Sequence, residues 1–208
     1  MTSITSPICE YRTNPLGIDV TAPRLGWQMQ SDRRGARQTA CRILAGGDPQ
    51  RLSEGEADSW DSSKIETDQS IHIPYAGQEL SSRQRVYWQV TVWDEIGQAS
   101  HSDPAWFEMG LLERSDWKGE WIGAALTGGP RSPIPAPFLR QSFQFDGAIK
   151  TARLYVTALG LHECSINGRP VSEDVFAPGW TDYGKRVQYQ VYDVAGLLHQ
   201  GENVIGVI

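Results

Sequence analysis

Residues 151–208 read TARLYVTALGLHECSINGRPVSEDVFAPGWTDYGKRVQYQVYDVAGLLHQGENVIGVI, and their periodicity decides the fold. Leu154, Val156 and Ala158 alternate with Arg153, Tyr155 and Thr157, the period-2 pattern of a strand with one buried face. After Gly160 the alternation resumes, with His162, Cys164 and Ile166 set against Leu161, Glu163 and Ser165. Asn167-Gly168 then predicts a tight hairpin, because a type I′ turn needs positive φ at both central residues. The return strand starts at Arg169-Pro170-Val171, where the proline marks a strand start or a sheet edge. Beyond the aromatic loop 177–183, Val187, Tyr189 and Val191 alternate with Gln188, Gln190 and Tyr192. Gly201-Glu202-Asn203 reads as a turn, with a last apolar strand beginning at Val204. The pattern is that of a β-sandwich.

Outward from this stretch, strand patterns fill the chain. Residues 1–13 read as a loose lead-in, with Ile8 and Tyr11 in reach of the first sheet. Asn14–Asp19 is turn chemistry, and Arg24–Met29 a core strand with Leu25 and Trp27 on one face. Asp32-Arg33-Arg34-Gly35 reads as a charged hairpin tip before a strand over Arg37–Ala45. A polar segment, 48–58, holds a short helical turn at 49–53, and 60–64 and 70–74 read as a strand pair. In Arg85–Trp93 the residues Val86, Trp88, Val90 and Val92 share one face, and Ala105–Met109 closes a first sandwich. Tyr87 stands where a corner tyrosine of a fibronectin type III domain would tie its hydroxyl. Leu111–Asp116 is a connector with one helical turn, and Trp117–Gly123 opens a second domain. Residues 127–137 (TGGPRSPIPAP) form a loop, and Phe138–Phe145 alternates with Phe143 and Phe145 facing one way.

Composition agrees with two sandwiches. The 208 residues include 21 glycines, 12 prolines and eight tryptophans, and no long helix-forming block. A net charge of −6 and a pI near 5.2 exclude nucleic acid and anionic membrane as partners, since both need a basic face. No run of 18 apolar residues occurs, so no membrane-spanning helix is predicted. The N-terminus lacks the charged and apolar regions of a secretory signal, which makes a cytoplasmic address the expectation. Cys9, Cys41 and Cys164 are odd in number and far apart. They read as free thiols, with Cys41 and Cys164 buried in strands. Neither they nor His72, His101, His162 and His199 have metal-ligand spacing. No cofactor motif is present.

Several strings carry a family resemblance. LGLHECSINGRPV (159–171), PGWTDYGKRVQYQVYDV (178–194) and GENVIGV (201–207) occur in the order seen in N-terminal regions of bacterial α-L-rhamnosidases of glycoside hydrolase family 78. TNPLGIDVTAPRLGW (13–27) is similar to the usual opening of these enzymes, and Trp117-Lys-Gly-Glu-Trp121-Ile-Gly123 to a further hallmark. Departures are Gly26 where serine is common, His162 where tyrosine is usual, and Gly184 before Lys185. The resemblance implies an all-β chain: a fibronectin-III/Ig-like sandwich over 9–110, then a galactose-binding-like jelly-roll over 117–208, incomplete at its C-terminal side. It implies hydrolysis of terminal α-L-rhamnosides with inversion by a C-terminal (α/α)6 barrel that this chain lacks. The chain itself is then inactive, supporting the barrel.

Inverting glycosidases set two carboxyl groups about 6.5–9.5 Å apart. Among the 25 acidic residues, Glu163, Glu173-Asp174 and Asp193 show no context that marks such a pair, so no catalytic residue is assigned. For carbohydrate, a rhamnoside, the residues with suitable chemistry are Trp180, Asp182, Asn167 and Tyr183, since rings stack on sugar C–H faces and polar groups bind hydroxyls. The alternative reading has Trp180 and Tyr183 plugging the sandwich end and Asp182 capping a turn. Calcium, which aids rhamnose binding in some relatives, lacks an oxygen-ligand cluster here, and no metal site is assigned. A stand-alone carbohydrate-binding module and a two-sandwich adhesion or scaffold protein are the other functions such a chain serves. A strand 201–208 at an open edge predicts oligomerisation or aggregation.

Overall fold

A computed structural model describes residues 2–125 and 134–208. The chain divides into two compact units, Met1–Trp117 and Lys118–Ile208. Of the expected loop 127–137, residues 127–133 lie outside the described residues, and 134–137 carry no helix or strand. Among the described residues no helix is long and apolar enough to cross a membrane.

The first unit contains nine strands in chain order: β1 (Thr2–Cys9), β2 (Arg24–Ser31), β3 (Gln38–Gly46), β4 (Trp60–Asp61), β5 (Ile65–Glu66), β6 (Ile73–Pro74), β7 (Arg85–Asp94), β8 (Ala99–His101) and β9 (Ala105–Glu108). One sheet has the order β1-β2-β6. The other runs β4-β3-β7-β8, with β5 also on β3 and β9 also on β7. The two sheets enclose Leu25, Trp27, Ile43, Val86, Trp88, Val90, Val92, Phe107 and Met109. Val86, Trp88, Val90 and Val92 are all fully buried, as the alternation of β7 requires. Burial of such side chains contributes about 1.5–3 kcal/mol each. The Trp27 indole stays satisfied inside this core by donating to Gln38 Oε1 at 2.9 Å. A short helix, α1 (Pro49–Ser53), forms where its turn was expected, with Asp48 accepting from Gln50 N as its N-cap.

Four expectations for this unit are corrected. The lead-in is strand β1, paired antiparallel with β2 and interrupted between Thr5 and Ile8, where Ser6 has φ +50°. Asp32–Gly35 is a crossover and not a hairpin tip, since β2 and β3 lie in different sheets. Its Arg33 reaches the buried Asp94 at 2.6 Å. Burial alone would raise the Asp94 pKa, but hydrogen bonds from Gln98 N, Arg33 and Ile96 N outweigh it and hold the carboxyl below its ordinary value. Segments 60–64 and 70–74 do not pair with each other. Strands β4 and β5 join β3, and β6 joins β2. Tyr87 is half-buried on the outer face of β7, and its hydroxyl makes no hydrogen bond among the described residues, so it ties no corner.

The second unit holds β10 (Leu139–Phe145), β11 (Arg153–Val156), β12 (Cys164–Ile166), β13 (Arg169–Pro170), β14 (Gln190–Asp193) and β15 (Gly201–Val207). They make a four-stranded sheet, β10-β15-β12-β13, and a two-stranded one, β11-β14. Asn167 and Gly168, with φ +52° and +76°, form the predicted turn between β12 and β13. The core is smaller: Ile166, Tyr192 and Val194, packed with Leu154, Val156, Val171, Leu197, Leu198 and Ile205. Two expectations change here. Gly201–Asn203 is not a turn but the start of β15, and Asn203 is fully buried. Nor is β15 an open edge, because β10 flanks it on one side and β12 on the other. Residues Trp117–Gly123 form no strand, and Trp121 is largely exposed.

Candidate functional site

Two places in the second unit carry functional chemistry. The first is a cavity of about 660 Å³ whose walls include β12, β15 and the segment 170–177. Leu139, Val171, Val204 and Val207 line it, together with His162, Cys164 and Tyr192. Glu163, Glu173 and Asp174, which local sequence leaves unrelated, all line this one cavity. Glu163 lies just before β12 and is exposed, between the buried His162 and Cys164. Asp174 is committed locally, accepting from the Tyr192 hydroxyl at 3.0 Å. Burial raises the Tyr192 pKa, a hydrogen bond from Ser172 opposes that rise, and the Asp174 carboxylate adds to it.

His162 is 6% exposed, and its Nε2 has no hydrogen-bond partner. Its Nδ1 lies 3.5 Å from Cys164 Sγ. Burial lowers the imidazole pKa and pushes the Cys164 thiol up to about 11. Both groups are therefore neutral near pH 7. They form a neutral S–H/imidazole pair rather than the thiolate–imidazolium pair of a nucleophilic cysteine.

The second place is the loop 177–183. Ala177 anchors it by accepting from His162 N at 2.8 Å, and the Ala177–Pro178 peptide is cis. Gly179, at φ +95°, turns the chain outward. Trp180 projects from the tip, 89% exposed, so it plugs nothing. Asp182 does cap a turn: its Oδ1 accepts from Gly184 N at 3.2 Å, and its Oδ2 pairs with Lys185 Nζ at 3.3 Å. Tyr183 beside it is half-buried. A flat, exposed indole next to a carboxylate and a phenol has the chemistry to stack on a sugar face.

The fourth predicted residue, Asn167, stands apart from this loop. Its Nδ2 donates to Leu197 O at 2.9 Å and Asn203 Oδ1 at 2.8 Å, while its Oδ1 accepts from Val204 N at 2.9 Å. Its amide is spent on joining the hairpin to β15. None of Trp180, Asp182, Tyr183 and Asn167 lines the cavity. Sequence reasoning missed Asn203, the buried partner of Asn167, and missed that three acidic residues line one cavity. No local pattern signals the latter. Among the described residues no group of three His, Cys, Asp or Glu side chains is placed to hold a metal ion.

Comparison with known proteins bears on both units. Residues 4–113 match the family model described as the Rha78A-like, N-terminal immunoglobulin domain, and residues 147–208 match the α-L-rhamnosidase N-terminal domain. An α-L-rhamnosidase of Formosa agariphila is 40% identical over 207 residues, which are 96% of this chain and 22% of that protein. The solved α-L-rhamnosidase from Dictyoglumus thermophilum superposes with a TM-score of 0.88 at 35% identity, covering 99% of this chain and 24% of its own. That of Streptomyces avermitilis, solved in complex with L-rhamnose, gives a TM-score of 0.58 at 35% identity over all of this chain and 22% of its own. The chain thus spans about a fifth of the length of the relatives it matches.

Proposed function

The chain belongs to the family of Rha78A-like N-terminal immunoglobulin domains, and on that premise we propose that it is the non-catalytic N-terminal region of an α-L-rhamnosidase. The enzyme of which it is part hydrolyses terminal α-L-rhamnosides in a barrel elsewhere, and the two β units support that barrel. The observation that carries this reading is the match of 96% of this chain to only 22% of a rhamnosidase. Fold alone would not license it, since sandwiches serve many functions. The test is to incubate the pure chain, at high concentration, with an aryl α-L-rhamnoside. Release at the uncatalysed rate is expected. Sustained turnover that disappears in Glu163→Gln or Asp174→Asn would place chemistry in the second-unit cavity and overturn the proposal.

A second reading, direct contact with carbohydrate, is favoured by the exposed Trp180 beside Asp182 and Tyr183. One stacked ring and a few solvated hydrogen bonds leave a Kd of about 1 mM, roughly −4 kcal/mol. Titration with L-rhamnose, followed by tryptophan fluorescence, reads it. A response unchanged in Trp180→Ala would remove this loop from any sugar site.

A further inference from the structure

An asparagine side chain can be attacked by the backbone nitrogen of the residue that follows it, and that residue decides how readily. The chain has three asparagines, Asn14, Asn167 and Asn203, followed by Pro15, Gly168 and Val204. Proline has no N–H to give up, and the branched side chain of valine crowds its nitrogen. Glycine leaves the nitrogen open. Asn167-Gly168 is therefore the reactive pair, and it forms the two-residue turn between β12 and β13, with φ +52° and +76°.

In the folded unit Asn167 is pinned from four directions. Its backbone N donates to Val204 O at 2.8 Å. Its side-chain Nδ2 is held by Leu197 O and Asn203 Oδ1, and its Oδ1 by Val204 N. Ring closure requires Cγ to swing onto Gly168 N, which breaks all three side-chain bonds at once. The group that must leave, Nδ2, is the one held by two acceptors. Asn203 and Val204 both belong to β15, and Asn203 is fully buried. The reaction therefore waits on the departure of β15 from the hairpin.

We infer that Asn167 is a site of spontaneous deamidation, silent while β15 is seated on the hairpin and active whenever β15 leaves it. Gly168 N bonds to Asn167 Cγ, and Nδ2 departs as ammonia with the proton that Gly168 N gives up. The succinimide so formed adds water at one of its two carbonyls. It reopens as aspartate, or as isoaspartate, whose main chain runs through the former side-chain carbon. Water is the only co-reactant. Neither product restores the joint. A carboxylate oxygen stands where Nδ2 was and has no hydrogen to offer Leu197 O or Asn203 Oδ1. Isoaspartate also lengthens the turn, and turn length sets the register of a hairpin. Deamidation thus marks, and holds open, those molecules whose second unit has come apart.

The test follows the 208-residue chain over days near neutral pH, with and without guanidinium chloride. Mass spectrometry reads the amide-to-acid exchange at Asn167, and an isoaspartyl methyltransferase counts the isoaspartate. In denaturant the rate should be that of a free Asn-Gly peptide, and Gly168→Ala should slow it. In native buffer it should fall by at least about tenfold, since each of three hydrogen bonds shifts the opening equilibrium roughly two- to tenfold. Asn203→Ala should raise the native rate and leave the denatured rate unchanged. A second measurement covers the case where that variant does not fold. For wild type at low denaturant concentrations, the rate should rise in step with hydrogen exchange of the Asn167 and Val204 amides. Native wild-type chain that deamidates as fast as denatured chain would overturn the inference. So would modification at Asn14 or Asn203 instead, a rate independent of those two amides, or deamidated chain that regains full protection of the Val204 amide.

Discussion

Asn203 offers the sharpest test of what holds the second unit together. Its side chain is fully buried and makes four hydrogen bonds. Nδ2 donates to His199 O at 2.7 Å and Gly201 O at 3.1 Å, and Oδ1 accepts from His199 N at 3.0 Å and Asn167 Nδ2 at 2.8 Å. Asn203→Ala strips an acceptor from two part-buried donors and a donor from two carbonyls, each group costing up to about 1–3 kcal/mol when left unmade. Entry of water into the vacated space recovers part of that, so the expected loss is about 3 kcal/mol. For a domain of this size that corresponds to a fall in Tm of roughly 12–24 °C. Asn203→Asp keeps the shape and the accepting oxygen, but turns a second oxygen, without hydrogens, toward two carbonyls. Its carboxyl pKa in the folded state must then rise above the unfolded value near 3.9. The protonated form donates to one carbonyl, so the variant is least handicapped at low pH. Its deficit against wild type should grow as pH rises from 4 toward the raised folded pKa and level off above it. Urea unfolding monitored by hydrogen exchange reads the two units separately. The reasoning fails if Asn203→Ala costs less than about 1 kcal/mol, if the loss falls equally on Met1–Trp117, or if the Asn203→Asp deficit is independent of pH.

Two further outcomes follow from buried titratable groups. Burial holds His162 below its ordinary pKa of 6.5, so below that pH the unfolded chain takes up a proton that the folded unit refuses. Stability of the second unit should decline as pH falls from about 6.5 to the folded pKa, and unfolding of His162→Gln followed between pH 5 and 7.5 should lack that slope. The Cys9 thiol is pushed up to about 12, by burial first and then by the Glu10 charge, and Cys164 by burial to about 11. Iodoacetamide at pH 8 should leave all three cysteines intact in the native chain and alkylate all of them in urea, as mass spectrometry would report. Native labelling of Cys164 at the rate of a free thiol would contradict its burial.

What the sequence makes legible is decided by how local the cause is. The faces of β7 follow from Val86, Trp88, Val90 and Val92 alone, and the β12–β13 turn from Asn167-Gly168 alone. β1 escaped because TSITSPIC is rich in serine and threonine, contains a proline, and shifts register at Ser6, so no clean alternation survives. The strands at 60–61 and 73–74 were placed correctly but mated wrongly. Partner choice depends on the whole sheet, and neighbours in sequence are only the commonest solution. Asn203 sits in a Gly-Glu-Asn string that resembles turn chemistry, and its burial is explained by an asparagine far back in the chain. The site divides in the same way. The exposure of Trp180 is consistent with its glycine- and proline-bounded loop, whereas the gathering of Glu163, Glu173 and Asp174 at one cavity is a tertiary fact without a local signal.

The place of β15 between β10 and β12 has a consequence for how the protein is made. A ribosome delivers β10 first, then β12 and β13, and only later the strand that must slot between them. At about 5–20 residues per second, the wait between Ile166 and Val207 lasts roughly 2 to 8 seconds. Throughout that interval the β12–β13 hairpin can close on its own, but β10 lacks its neighbour β15 and its phenylalanines stay open to nascent chains on the same message. The first unit has a comparable wait, since β3 pairs with β7 some forty residues later, but there β2 can pair with β1 in the meantime. Codon choice or chaperone supply over the segment encoding 167–207 should therefore affect the yield of soluble protein.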